Sequence, residues 1–177
     1  MARLEPISQP YSAEAAAELA QMPADIALFR TVAHNPRVLS RWRGGGLLDR
    51  GSITLRQREL IILRTTARLK AEYEWGVHVA YFKAKAGFSE AEIAATLQED
   101  ASGWSAEEAV LVAVTDALVD HGTVNDVLWQ RAATYYKADQ LIEIIALVGF
   151  YHLVSFTVNA TGVALEPGAP RFPAAAQ

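Results

Sequence analysis

Helix-capping residues recur along this chain, each followed by an apolar segment with helical spacing, and no other feature restricts the fold as strongly. Ser89 and Ser105 each have a glutamate three positions later, at Glu92 and Glu108, which is the sequence pattern of a capping box. Thr54 opens the segment TLRQRELIILRTTARLK, whose basic residues at the far end suit the helix dipole. We find no run of alternating polar and apolar residues that would predict a strand. The sequence therefore predicts an all-α fold.

The other segments with helical spacing fit one domain with two short ends. A length of 177 residues suits one domain with a substantial core. We predict further helices at residues 12–22, 25–34, 36–42, 71–87, 124–136 and within 141–165. The predicted organisation is an N-terminal helical extension at residues 1–22, a helical domain at 23–166 and a proline-rich C-terminal arm at 167–177.

Composition and charge argue against several kinds of partner and chemistry. With a net charge of -4, the chain offers no electrostatic reason to bind nucleic acid or an anionic membrane. Four arginines cluster at Arg37, Arg41, Arg43 and Arg50, which is more typical of a solvated face or a carboxylate contact. The chain has no cysteine, so disulfides, thiol nucleophiles and cysteine-ligated zinc are excluded.

Two features bear on where the protein is located. The N-terminus lacks a basic region followed by an apolar core, so no secretory signal is predicted. The most apolar segment, residues 141–165, contains polar residues such as Glu143 and His152, and we predict a buried helix there rather than a membrane span. Together with the lack of cysteine, which is compatible with a reducing compartment, these features favour a cytoplasmic protein with no membrane partner.

Glu74 and His78 lie one helical turn apart in the segment AEYEWGVHVAYFKAKAG, and Tyr81 continues the same row. If that face is exposed, the row is a solvated ion-pair ladder in which each pair contributes about 0.3 kcal/mol. The helix is apolar on nearly all sides, however, which indicates burial on more than one face. Glu59 adjoins the apolar run LIIL of the preceding helix, where a surface pair with Arg56 and a buried contact both remain open. A buried carboxylate needs a partner, and a carboxylate with histidine is a common device for proton transfer.

A few further residues are weaker candidates for metal ligands or for the wall of a substrate pocket. Glu74 and His78 could supply two metal ligands, but no His-Glu-x-x-His motif or second Glu/His pair accompanies them, so we expect no metal and no other cofactor. Trp75 and Tyr81 are candidates for the wall of a substrate pocket. His152, in the last helix, is either a core or interface histidine or a further substrate-binding donor.

Four segments of this chain resemble the carboxymuconolactone decarboxylase family, which includes the alkylhydroperoxidase D-like proteins. They are LFRTVAHNP, LRQRELIILRTTARLKAEYEWGVHV, AGFSEAEI and LIEIIALVGFYHLVSFTVNATGVALE. In the peroxidase branch a glutamate precedes a Cys-x-x-Cys-x-x-x-His motif; with His78 as the histidine, the glutamate falls on Glu59 and the cysteines fall on Ala71 and Glu74. Peroxide reduction by a dithiol is therefore excluded. The resemblance to the decarboxylase branch implies a glutamate one turn before the histidine, and Glu74 matches it.

The resemblance also implies an architecture. Family members are all-helical and assemble as homo-oligomers, so a trimer or hexamer is expected here, with a dimer as the other possibility and sites near the subunit boundaries. This chain adds an N-terminal region to the shorter decarboxylase core, so the resemblance does not imply the same substrate.

Two functions remain open at this point. The first is a cofactor-free acid/base enzyme of decarboxylase or lyase type that acts on a small oxygenated acid or lactone. His78 would be its general acid or base, Glu74 would orient His78 or share its proton, and Glu59 would be the second carboxylate. The second is a non-catalytic oligomeric scaffold or small-ligand-binding protein, which the missing cysteines favour. A cavity that joins the three side chains would favour the first function, and an imidazole that faces solvent would favour the second.

Overall fold

The computed structural model describes residues 2–99 and 103–173, and the regular structure within these ranges is entirely α-helical. The helices in chain order are α1 (Ala13–Leu19), α2 (Ala27–Val32), α3 (Pro36–Trp42), α4 (Leu55–Arg68), α5 (Glu72–Ala86), α6 (Glu90–Ala95), α7 (Ala106–His121), α8 (Asp126–Ala132) and α9 (Ala138–Thr161). The all-α prediction is confirmed.

The predicted cap residues begin α4, α6 and α7. The hydroxyls of Thr54, Ser89 and Ser105 each accept a hydrogen bond from the backbone N–H three residues later, and the side chain at that later position accepts one from the cap N–H. Each capping box satisfies two of the backbone donors that a helix start leaves free. Local chemistry therefore fixes where these helices begin.

Helix α4 lies at the centre of the fold, and α5, α7 and α9 all pack against it. Its apolar run Leu60–Leu63 is at most 1% exposed. Arg64 on the same helix is equally buried, and its guanidinium donates two hydrogen bonds of 2.6 and 2.7 Å to the carboxylate of Asp116 on α7. Such a paired contact holds two helices in one register.

Helices α4 and α5 form an antiparallel hairpin, and this hairpin builds the site. The chain reverses at Lys70, whose φ of 56° is in the left-handed region. The side-chain amide of Asn159 on α9 donates a 2.8 Å hydrogen bond to the carbonyl of Leu69 and holds the turn against that helix. Because the connection is short, Glu59 on α4 and His78 on α5 lie opposite each other.

Helix α9 buries one face and exposes the other, whereas the sequence predicted a buried helix. Its buried residues recur every three or four positions, as at Ile144, Leu147 and Tyr151. Large apolar side chains on the opposite face are exposed, including Ile142 at 66% and Phe156 at 59%. In the described part of the chain, α9 is the one helix long and apolar enough to cross a membrane, and 44% of its most apolar window is buried within the fold. The core helix of a soluble protein meets the same two criteria.

The chain after α9 returns along α5 and α2. The Glu166 carboxylate accepts a 2.5 Å hydrogen bond from the Ala27 backbone N–H and a 2.6 Å bond from the Tyr73 hydroxyl. Further on, the Phe172 backbone N–H donates to Glu72 at 2.9 Å. These contacts fasten residues 163–173 to the two helices.

Candidate active site

The three predicted acid/base residues are buried together between α4 and α5. Glu59, Glu74 and His78 are 1%, 6% and 4% exposed. The solvated ladder is therefore wrong for Glu74 and His78, because α5 is covered on the side that carries them. Tyr81 lies one turn further on and is 51% exposed.

Glu59 contacts His78 and is itself held by an arginine. The Nδ1 atom of His78 lies 2.7 Å from Glu59 Oε2. Glu59 Oε1 accepts a 3.0 Å hydrogen bond from the Nε–H of Arg58, and an Nη1–H of Arg58 donates to the carbonyl of Leu48 at 2.7 Å. The surface pair with Arg56 does not form, because Arg56 instead pairs with carboxylates on α6 and α7. The buried carboxylate of Glu59 therefore has a charged partner on each side.

The second ring nitrogen of His78, Nε2, lies close to a carboxylate and a phenol. Nε2 lies 3.3 Å from Glu74 Oε1 and 3.2 Å from the hydroxyl of Tyr151 on α9. The other carboxylate oxygen of Glu74, Oε2, is buried and has no hydrogen-bond partner among the described residues. A buried, unpaired carboxylate oxygen costs folding free energy unless a ligand supplies a donor.

The two carboxylates decide the protonation state of the imidazole. Burial lowers the pKa of His78, but hydrogen bonds to Glu59 and Glu74 and their negative charges outweigh it and raise the pKa from 6.5 to about 9. At neutral pH the ring is therefore an imidazolium that donates from both nitrogens. Burial, together with the charges of Glu74 and Glu59, raises the pKa of Tyr151 well above 10.0, so this hydroxyl stays protonated and can donate.

A cavity of about 260 Å³ opens beside Glu74 and His78. Most of its wall is apolar and comes from the segment 22–29, from the end of α3 and the turn after it, and from α5 and α9. The polar and charged residues that line it are Arg43, Glu74, His78, Tyr81 and Tyr151. Glu59 lies behind His78 rather than in the wall. Among the described residues, this arrangement offers a small molecule one unpaired acceptor, Glu74 Oε2, and two donors, the Nε2–H of His78 and the hydroxyl of Tyr151.

Of the three predicted substrate-binding residues, one lines the cavity and two do not. Tyr81 lines the cavity, as stated above. Trp75 points away towards α6, where its indole N–H donates a 3.0 Å hydrogen bond to the hydroxyl of Thr96. The ring of His152 packs against Phe156 on the same helix, 5.3 Å between centroids, and is not part of the cavity wall.

Sequence analysis did not identify Tyr151 or Arg58 as part of the site. On α9 the buried positions 144, 147, 151, 154 and 158 follow the helical period, so Tyr151 lies on the inner face and its neighbour His152 does not. This periodicity of apolar residues could have identified Tyr151 from the sequence. Nothing in the sequence indicated Arg58, because an arginine beside a glutamate on a helix is common on protein surfaces.

Within residues 2–99 and 103–173, no group of three or more His, Asp or Glu side chains has the arrangement needed to hold a metal ion.

Residues 36–116, which include Glu59, Glu74 and His78, match the carboxymuconolactone decarboxylase family. No curated protein matches the sequence significantly.

Solved structures share the fold at low sequence identity. A peroxidase-related protein from Ralstonia eutropha with an alkylhydroperoxidase AhpD core is similar at a TM-score of 0.78 and 15% identity, over 93% of each chain. The debrominase Bmp8 is similar at a TM-score of 0.73 and 13% identity, over 93% of this chain and 92% of that one. A complex of Bmp8 with 2,3,4-tribromopyrrole, in which a cysteine of Bmp8 is replaced by alanine, is similar at a TM-score of 0.69 and 14% identity. The match covers 93% of this chain and 91% of that one. The family match covers residues 36–116, and the solved structures show that this cysteine-free chain has an alkylhydroperoxidase D-like helical fold.

Proposed function

We propose that this protein is a cofactor-free acid/base enzyme of decarboxylase or lyase type that acts on a small oxygenated acid or lactone. The observation that carries the proposal is the buried array Glu59–His78–Glu74, open to a cavity on the side of Glu74 and His78. Such an array costs a scaffold folding free energy, because two carboxylates are removed from water and one carboxylate oxygen has no hydrogen-bond partner among the described residues. Perturbed, buried titratable groups beside a cavity are typical of functional sites.

The protonation state favours His78 as an acid and hydrogen-bond donor. In a decarboxylation, the bond between the carboxyl carbon and the α carbon breaks, and its electron pair forms an enolate as CO₂ leaves. The Nε2–H of His78 and the hydroxyl of Tyr151 can donate to the developing enolate oxygen, which provides the electron sink. His78 then returns a proton to the carbon and regains one from solvent, while Glu59 holds Nδ1–H and keeps the ring oriented.

The other carboxylate has a separate role in this proposal. Glu74 shares the Nε2 proton of His78 and directs its free oxygen Oε2 at a donor group of the substrate. The phenol of Tyr81 forms part of the substrate wall. The debrominase Bmp8 has been solved with a small halogenated ring, which supports a ring-sized ligand for a protein of this fold.

Assembly and location belong to the same proposal. We propose a homo-oligomer, a trimer or hexamer, in which a second copy covers the exposed apolar face of α9. The exposure of Ile142, Leu153 and Phe156 at 66%, 45% and 59% supports it, because monomers rarely leave such a contiguous apolar stripe in water. A cytoplasmic location is consistent with the absence of cysteine.

The test is turnover of a panel of lactone carboxylic acids and β-keto acids, followed as CO₂ release. His78→Gln removes the acid while it keeps a side chain of similar length, and His121→Gln, an exposed histidine in the last turn of α7, is the matched control. We expect His78→Gln to lower kcat/KM by about 100-fold or more, in the range of general acid–base catalysis. The His121 variant should match wild type.

The alternative is a non-catalytic scaffold or small-ligand-binding protein, and the absence of cysteine favours it. Equal turnover by wild type and His78→Gln, or no turnover of any panel member by folded wild-type protein, would refute the enzyme and leave this alternative.

A further inference from the structure

The rim of the cavity carries a cation that pairs with no acidic side chain in the described part of the chain. Arg43 follows the last turn of α3, is exposed to solvent and lines the cavity. Within residues 2–99 and 103–173, none of the ion pairs involves Arg43. Its guanidinium is therefore available to a ligand that enters from solvent.

The buried, inner end of the cavity carries an acceptor to which no described residue donates a hydrogen bond. Glu74 is 94% buried and lines the cavity, and its Oε2 atom has no hydrogen-bond partner in the described part of the chain. A carboxylate oxygen accepts hydrogen bonds and donates none when ionised. The group it lacks is a hydroxyl or N–H of the ligand.

The charges and the volume of the cavity limit the ligand further. Glu74 and His78 compensate each other in the wall, and Glu59 behind them is compensated by Arg58, so Arg43 leaves one positive charge in excess. A cavity of about 150 Å³ suffices for benzene. The volume here, about 260 Å³, therefore admits one ring with two small substituents, and the aromatic side chains of Phe29, Trp42 and Phe150 in the wall suit a planar ring.

We propose that the cavity binds a planar, singly charged hydroxy acid, whose carboxylate pairs with Arg43 at the rim and whose hydroxyl donates to the free oxygen of Glu74 at the inner end. Arg43 is then the residue that selects acids over neutral compounds. This inference rests on the proposed function only where it calls the ligand a substrate; binding itself does not require catalysis.

The experiment is isothermal titration calorimetry with probes that differ by one group: 3-hydroxybenzoate, its 4-hydroxy isomer, 3-hydroxybenzamide and benzoate. Arg43→Gln removes the rim charge, and Arg41→Gln is the matched control, because Arg41 is an exposed arginine on the same helix that does not line the cavity. We expect Arg43→Gln to weaken binding of the better hydroxybenzoate about 5- to 10-fold, and less at high salt, since an exposed pair is screened. Arg41→Gln should bind like wild type.

Two further comparisons test the two ends of the ligand. Wild-type protein should bind the neutral amide about as weakly as Arg43→Gln binds the acid. Glu74→Gln should reduce the preference for hydroxybenzoate over benzoate, because a neutral amide oxygen accepts a weaker hydrogen bond than a carboxylate.

The inference is overturned if acid and amide bind wild type equally, if the Arg43 and Arg41 variants behave alike, or if no carboxylate in the panel binds at about 10 mM. Failure of the enzyme proposal would look different. Binding that depends on Arg43 without turnover of any acid would refute the proposed enzyme and support the binding mode. Turnover that Arg43→Gln does not change would refute the binding mode and support the enzyme.

Discussion

Raising the pH of the solution from about 6 to about 10 should lower the free energy of unfolding because one buried residue, His78, loses its proton. Its pKa is 6.5 in an unperturbed chain and about 9 in the folded protein. Since the folded state holds the proton more tightly, this contribution to stability is fully present below pH 6.5 and is lost as the pH rises through about 9.

The magnitude follows from that pKa change and amounts to about 3 kcal/mol. It is a large fraction of the net stability of an ordinary domain, which is about 5–15 kcal/mol. The sign depends on which effect is larger. Burial alone favours the neutral ring, whereas carboxylate oxygens at 2.7 and 3.3 Å from its two nitrogens favour the imidazolium.

The assay is the free energy of unfolding in urea, followed by circular dichroism across this pH range for wild type and His78→Gln. Groups far from His78 titrate alike in both proteins, so the difference between the two curves reports His78 together with the two carboxylates that it contacts. A side-chain NMR titration of the wild-type histidines gives the pKa directly and does not depend on the variant folding. A neutral His78 at pH 7, or a wild-type advantage that does not shrink between about pH 7 and pH 10, would refute the reasoning.

Three further predictions concern stability and assembly. Glu59→Gln leaves the buried guanidinium of Arg58 without its carboxylate, so urea unfolding should show a loss of about 3–5 kcal/mol; a loss below about 1 kcal/mol would mean that the pair behaves like a surface one. Gly76→Ala would place Cβ 2.3 Å from the carbonyl oxygen of Pro170, so it should displace the C-terminal segment. The expected cost is about 1–3 kcal/mol, with faster limited proteolysis after residue 162, and unchanged proteolysis would contradict the close contact. Phe156→Glu places a charge on the exposed apolar face of α9, and light scattering should show a smaller assembly than wild type; a wild-type protein that is already monomeric would count against the proposed oligomer.

The helices could be predicted from the sequence because the interactions that begin and end them are local. A hydroxyl three residues before an acidic side chain satisfies backbone donors whatever the rest of the chain does, and Ser89 and Ser105 do so here. Gly87 ends α5 with a φ of 74°, which glycine adopts without strain. The all-α class follows from such local rules.

The site was only partly predictable for the same reason. Glu74 and His78 share a face by helical geometry, so their proximity follows from spacing alone. Glu59 is nineteen residues before His78 in the chain; the family resemblance pointed to it, but helical spacing did not. On α9, Tyr151 lines the cavity and its neighbour His152 does not, because the packing of the helix decides which face points inward.

By itself, then, the sequence determined the helical segments, their caps, the row that carries Glu74 and His78, and the absence of thiol chemistry. Tertiary packing alone decided that Glu59 contacts His78 and that segments far apart in the chain enclose a cavity with Arg43 at its rim. It also left one oxygen of Glu74 without a hydrogen-bond partner among the described residues. The physical reason is range: caps and helical spacing act within a few residues, whereas burial, cavity shape and the pKa of His78 depend on side chains that only the packed helices bring together.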